Sequence, residues 1–311
     1  MNKELLDQEI QLCIDGAGIE IYFLLRNDNL FKANIRPEEQ GQLRELFTEE
    51  LTNAVISNDE LQIINISTAD ERRNAIYLYD LDIPEDLSVV DNVFRQEDIP
   101  FFSFADNALS EVKAIIVMIG NVGHQLVIYK QNSPVSVLKK DSSFSLWGNE
   151  ENQLVRLDKD ILKINSKFDF FKIGDNLFIL NLKTLERFFG FHNVIKTEAE
   201  KGIDAIARYD LVENIDSLKE QLDEIGFARK LTKIGETSPV LGHVPNNRII
   251  EFVNHHPALK NRVKTNPDGT KLSLDTKKSK QLFIKLLNDD YLTSDLTSLY
   301  YDSLAKDNIE E

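Results

Sequence analysis

The 311-residue chain has a single cysteine, Cys13. That scarcity excludes an internal disulfide and a cysteine-built zinc site, and it suits a reducing compartment. Proline and glycine are sparse as well, at 8 and 13 residues, which removes collagen-like and low-complexity chains from consideration. No apolar run is longer than Ala114 to Ile119, far short of the roughly 20 residues a membrane-crossing helix needs. The opening MNKELLDQEIQ lacks the apolar heart of a secretory signal. What is present is a core-forming composition, 42% hydrophobic with 18 phenylalanines. The expectation is a soluble, intracellular chain of one large domain or two ordinary ones, at roughly 150 residues per domain.

Positive charge is also scarce: 36 bases face 52 acids, for a net charge of −16. The imbalance is uneven. Residues 229–285 hold twelve bases against four acids, a local +8, while the rest of the chain holds twenty-four bases against forty-eight acids, or −24. The basic residues singled out are Arg229, Lys230, Lys233, Arg248, Lys260, Arg262, Lys264, Lys271, Lys277, Lys278 and Lys280, with Lys285 closing the window. A basic island in an acidic chain can bind a polyanion while the remainder repels it. The competing reading is a solvated helix surface, with cations favoured at helix C-termini by the macrodipole.

The order of elements reads as α+β, a β-rich half followed by a helical half. Ile19 to Leu25 suits a buried strand, and Pro37 opens a helix with Leu43, Leu46 and Leu51 on one face. Leu61 to Ile66 and Ala75 to Tyr79 have strand length and pattern. Lys113 to Ile119 and Gln125 to Lys130 form a hairpin across Gly120-Asn121-Val122-Gly123, and Val135 to Leu138 continues the β pattern. Residues 141–153 read as a loop. A second hairpin joins Phe168 to Ile173 with Leu177 to Leu180 across Gly174-Asp175-Asn176. Helices are expected from Leu182, over 194–208, over 212–234, over 246–264 and over 276–288. In the third of these, Ile215, Leu218, Leu222 and Ile225 form an apolar stripe, read as core packing with a dimer seam left open. The domains are drawn at 1–160, β-rich and acidic, and 161–311, carrying the basic region.

Few side-chain constellations point to chemistry. Asp15-Gly16-Ala17-Gly18 has the look of a phosphate loop but precedes a strand, so a turn is the better reading. His255 and His256, with His243 nearby in sequence, cannot share one ion from adjacent helical positions; a solvent- or phosphate-facing role is expected, and no metal site. Asp268, Asp275 and Lys277 resemble the acid and acid-X-lysine elements of Mg²⁺-dependent nucleases. A Pro-Asp-Gly turn and a helix N-cap at Asp275 account for the same residues. There is no G-x-S-x-G, and Cys13 sits in an apparent amphipathic helix, so no hydrolase nucleophile is expected.

The stretch FDFFKIGDNLFILNLKTLERFFGF, Phe168 to Phe191, resembles the hairpin-plus-helix core of the KwaB-like family, the soluble subunit of the Kiwa anti-phage system. KLSLD, Lys271 to Asp275, is similar to its strand before a basic helix, and KLLNDDYLTSDLTSLYY, Lys285 to Tyr301, to its C-terminal pattern. The resemblance implies an antiviral protein without an established catalytic site or cofactor. It implies double-stranded DNA as a ligand, blockade of phage replication and transcription, and a multi-span membrane partner, KwaA, that recruits the cytoplasmic chain to the inner face of the membrane. Under that resemblance the eleven basic residues become the DNA-binding set, and the sequence-tolerant backbone contact they offer suits duplex. The first hundred residues, net −14, could face the partner's basic loops, although ordinary solubility is the better reading of them. A homodimer or higher homo-oligomer is the expected assembly. The two other function classes are a Mg²⁺-dependent nuclease and an adaptor without DNA affinity.

Overall fold

The computed structural model describes residues 2–16, 18–68, 74–95, 98–139, 146–148, 153–293 and 300–302. The chain divides into two compact units, 1–65 with 71–190, and 66–70 with 191–311.

The first unit is built on an eight-stranded sheet. Its strands are β1 (Ile19–Leu25), β2 (Leu30–Lys32), β3 (Gln62–Asn65), β4 (Ala75–Leu78), β5 (Val112–Asn121) and β6 (His124–Gln131). After β7 (Val137–Leu138), β8 (Leu146–Gly148), β9 (Leu154–Arg156) and β10 (Ile161–Leu162), the sheet is completed by β11 (Phe170–Ile173) and β12 (Asn176–Ile179). The order is β2-β1-β5-β6-β11-β12-β4-β3, antiparallel except for the parallel β3–β4 pair at one edge. The strands β7 with β10, and β8 with β9, form two small separate ladders. Both expected hairpins are present. The loop expected over 141–153 is replaced at 146–148 by β8; residues 141–145 and 149–152 lie outside the described set.

The domain boundary differs from the expected one near 160. The hairpin β11–β12 sits in the middle of the sheet, pairing Phe171 with Ile128 of β6 and Phe178 with Leu78 of β4. Those long-range pairings keep it in the first unit, so the division falls after Gly190.

The sheet is buried on both faces, which is why its central strands read as continuous apolar runs. On one face Phe23, Ile115, Val117, Leu126, Ile128, Phe171 and Phe178 meet helix α1 (Lys3–Asp15) and helix α2 (Pro37–Leu51) through Leu6, Ile10, Phe47 and Leu51. Cys13 lies in this core; burial, and then Glu9, push its thiol up to about 11. Burial of this kind keeps a thiol protonated at neutral pH. On the other face Tyr129 and Phe170 stack at 4.5 Å, and Phe189 meets both edge-on at 5.3 and 5.5 Å. Phe189 is the C-cap of α4 (Leu182–Phe188), and α3 (Val89–Arg95) is held to the sheet by an ion pair between Asp91 and Lys172 of β11. Of the expected turn over 15–18, Ala17 lies outside the described residues; a Cβ on Gly18 would stand 2.4 Å from the Gly120 carbonyl, so glycine permits the close approach.

The second unit is mainly helical: α5 (Phe191–Ala207), α6 (Ile225–Thr237), α7 (Asn246–His255) and α8 (Lys277–Leu287). Two short ladders accompany them, β13 (Lys264–Thr265) with β14 (Leu272–Ser273), and β15 (Tyr291–Thr293) with β16 (Tyr300–Asp302). Helices α5 and α6 cross where Gly202 meets Gly235. A Cβ on Gly202 would lie 2.3 Å from the Leu231 carbonyl, and one on Gly235 2.7 Å from the Gly202 Cα.

The expected helix over 212–234 is two elements. A 3₁₀ turn spans Ile215–Gln221, and Glu224 is extended before α6 begins. The apolar stripe therefore does not run along one helix. Leu218 and Leu222 are buried within this chain, at 0% and 1% exposure, which leaves them unavailable as a seam. The expected helix over 246–264 stops at His255, because Pro257 biases the preceding residue away from helical backbone.

Candidate nucleic-acid interface

The structure separates the basic island into two groups. In the first, lysines are neutralised by acids from the preceding stretch of the same unit. Lys271 Nζ lies 2.5 Å from Asp210, Lys280 Nζ donates to Glu220 at 2.6 Å, and Lys277 pairs with Glu224. The Lys280 side chain is only 5% exposed, so its charge is withdrawn from solvent. Arg229 rests over the Phe191 ring at 5.6 Å, while Lys230 and Lys285 border a shallow cleft with Phe227 and Ile284. Lys233, like Arg229, is half-buried on α6.

The second group is Arg248, Lys260, Arg262, Lys264 and Lys278. All five are exposed, and none makes an ion pair with a described residue. Local structure explains their exposure. Arg248 sits in the first turn of α7, whose inner face buries Ile249, Ile250 and Val253. Beyond α7 the chain makes two consecutive tight turns, in which the Leu259 and Lys260 N–H groups donate to the His256 carbonyl and those of Arg262 and Val263 to that of Leu259. Leu259 and Val263 are the anchors, at 0% and 2% exposure, and the intervening Lys260 and Arg262 face outward. Lys264 opens β13 opposite Ser273 of β14, and that strand leads within five residues to Lys278 on α8.

Thr276 is the N-cap of α8. Its hydroxyl accepts from the Ser279 N–H at 3.0 Å, and Ser279 Oγ accepts in return from the Thr276 N–H. The cap is thus one residue beyond the expected Asp275, which instead accepts a hydrogen bond from Ser273 Oγ at 2.7 Å. Asp268 lies in the turn of the β13–β14 hairpin, where Asn266 Oδ1 accepts from the N–H groups of Thr270 and Lys271. Asp268 and Asp275 therefore stand at opposite ends of the hairpin, and Lys277 is held by Glu224. Among the described residues no three His, Cys, Asp or Glu side chains gather in a way that could hold a metal ion.

The histidines divide as well. His255 is exposed, with Nδ1 2.7 Å from the Glu251 carbonyl. His256 departs from the outward-facing expectation: it is 3% exposed, stacked on Phe252 and packed against Tyr291, each ring centroid 5.0 Å away. Sequence reasoning missed the neutralising acids Asp210, Glu220 and Glu224. The signal available for them was the acid-rich stretch 198–224 just before the island, at a distance one ion pair can close once the chain folds.

No described helix is long and apolar enough to cross a membrane. No solved structure matches the chain. The Kiwa protein KwaB-like family matches residues 109–297, a span that includes both the central sheet strands and the exposed cations. Kiwa protein KwaB of Escherichia coli O55:H7 (strain RM12579 / EPEC) is 33% identical over 318 aligned residues, covering all of both chains. With a match of that length and an end-to-end relative at that identity, the chain belongs to the Kiwa KwaB-like family.

Proposed function

We propose that this chain serves anti-phage defence as a DNA-binding protein, gripping duplex backbone through the exposed cations of its second unit. The observation that carries the reading is five solvent-facing cations in the segment 248–278, without an ion pair to any described residue, in a chain with net charge −16. Lys and Arg that meet phosphates release condensed counterions, so affinity falls steeply with salt. Aromatic side chains are scarce in the basic window, with only Phe252 and Phe283, and Phe283 is fully buried. That favours duplex over stacked single strands. The binding is largely indifferent to sequence, since phosphate contacts carry no base information.

The role is non-catalytic in this reading. The multi-span membrane partner KwaA and self-association belong to the same proposal, as the means by which DNA-binding chains are concentrated at the membrane. Fluorescence anisotropy with a labelled random duplex tests the core of it. Five contacted phosphates give a log–log salt slope of about −4.5. A slope near zero, or no binding at physiological salt, favours the adaptor class. Nicking of plasmid DNA that stops with EDTA and with Asp268→Ala favours the nuclease.

A further inference from the structure

The first unit carries nineteen bases against thirty-one acids, a net −12. Against that background one cleft gathers more cations than acids on its lining. It opens where β5 begins, β6 ends and α4 starts, has a volume of about 780 Å³, and is lined by Arg26, Lys113, Lys139 and Arg187 with a single carboxylate, Asp169. We infer that this cleft is a binding site for a phosphorylated nucleoside.

The carboxylate does not oppose an anion as a free charge, because its oxygens are already engaged. Asp169 Oδ1 accepts from Asn181 Nδ2 at 2.8 Å and Thr184 Oγ1 at 2.6 Å, and Oδ2 accepts from the Gln131 N–H at 2.7 Å. Its work is to fasten the end of β6 to the start of α4, which fixes the cleft wall. Of the cations, Lys113 is tied to Asp28 at 2.8 Å. Arg26 and Arg187 are exposed and make no ion pair with a described residue. Guanidinium groups of this kind suit phosphate because their donors form a fork that matches two oxygens at once.

Two further features ask for more than inorganic phosphate. The Asn132 side chain is oriented by its Nδ2, which donates to the Val112 carbonyl at 3.2 Å, leaving Oδ1 buried without a hydrogen-bond partner among the described residues. A buried acceptor left in that state is costly and is satisfied by a ligand donor such as a sugar hydroxyl or base amino group. Beside it, the Arg187 guanidinium lies 5.2 Å from the centroid of the half-buried Phe188 ring, a flat cationic and aromatic surface of the type on which bases stack. The volume lies in the range that takes a ligand of nucleotide size.

The test is isothermal titration of the full-length protein with the four ribonucleoside monophosphates, ADP and inorganic phosphate. At least one nucleotide should bind about tenfold more tightly than inorganic phosphate. Arg26→Glu with Arg187→Glu should weaken that nucleotide by at least about tenfold, leaving the melting temperature and duplex affinity unchanged. If that pair of substitutions lowers the melting temperature, Arg26→Gln with Arg187→Gln replaces it. The inference is overturned if no nucleotide binds at millimolar concentration, if inorganic phosphate binds equally well, or if the substitutions leave nucleotide affinity intact. Loss of duplex affinity instead of nucleotide affinity also overturns it, assigning the cleft to DNA. Failure here leaves the cations of the second unit untouched, because the two sites share no residue.

Discussion

The two units solve the same problem, burying surface in an acidic chain, by different means. The first unit stacks large aromatic side chains on both faces of a wide sheet, so its stability rests on side-chain volume. The second brings helix backbones together at glycine and spends its charged side chains on one another, so its packing rests on the absence of volume and its surface on charge pairing. The lesson is that charge counted along a sequence overstates charge offered to a ligand. The twelve bases of the island reduce to five exposed ones without an ion pair to a described residue, because Lys271, Lys277 and Lys280 pair with preceding acids and Arg229, Lys230, Lys233 and Lys285 are half-buried.

The sharpest way to break this comparison is to change volume in each unit in opposite directions. Phe171→Ala empties a fully buried site between Phe168 and Phe178 and should cost about 3–5 kcal/mol in denaturant unfolding. Gly202→Ala adds one carbon where the Leu231 carbonyl already stands, and should cost about 1–3 kcal/mol. If Gly202→Ala proves neutral, the close helix crossing is not what holds α5 to α6.

A second contrast lies within the island. Replacing Arg248, Lys260, Arg262, Lys264 and Lys278 with glutamine should weaken duplex binding at low salt by about a hundredfold or more and flatten the salt slope. Removing the three ion pairs as pairs, with Lys271→Gln and Asp210→Asn, Lys277→Gln and Glu224→Gln, and Lys280→Gln and Glu220→Gln, leaves net charge unchanged. Duplex affinity should then stay within about twofold, since each lysine is already matched by an acid and offers no net charge to a phosphate. Anisotropy titrations of both variants decide between them.

The smallest expected effect concerns the sheet edge. Burial raises the Glu20 pKa, but hydrogen bonds from Lys32 and Tyr22 outweigh it and hold the carboxyl below its ordinary value. A carboxylate depressed on folding adds stability that is present above the ordinary glutamate pKa of about 4.3 and is lost as pH falls through the lower folded value. Glu20→Gln should therefore shift the melting temperature slightly at pH 7 and not at all at strongly acidic pH. An equal shift at both would assign the loss to packing.

Much of the first unit was legible because its strands obey local rules: apolar runs for strands buried on both faces, and glycine-containing turns between them. The position of the second hairpin was not, because adjacency to β6 and β4 is a property of long-range pairing that no local pattern encodes. The helix over 246–264 ended early at a signal that was present, Pro257. The break before α6 had no such signal at its own position: the nearest glycine, Gly226, falls inside α6, while Glu224 itself is extended. The sequence marks the basic segment but not which of its cations pair with acids. Which lysines are neutralised depends on Asp210, Glu220 and Glu224 arriving from a segment that sequence inspection reads only as solvated acid. The cleft cations Arg26, Lys113, Lys139 and Arg187 were invisible for the same reason, scattered along the chain and gathered only by the sheet.

The measurement that bears most directly on the central claim is the salt dependence of duplex affinity for the natural chain and the five-site glutamine variant side by side. The account predicts a steep slope of about −4.5 for the natural chain and a markedly shallower one for the variant. Equal slopes would contradict it, because the counterions released on binding would then come from contacts elsewhere than these five side chains.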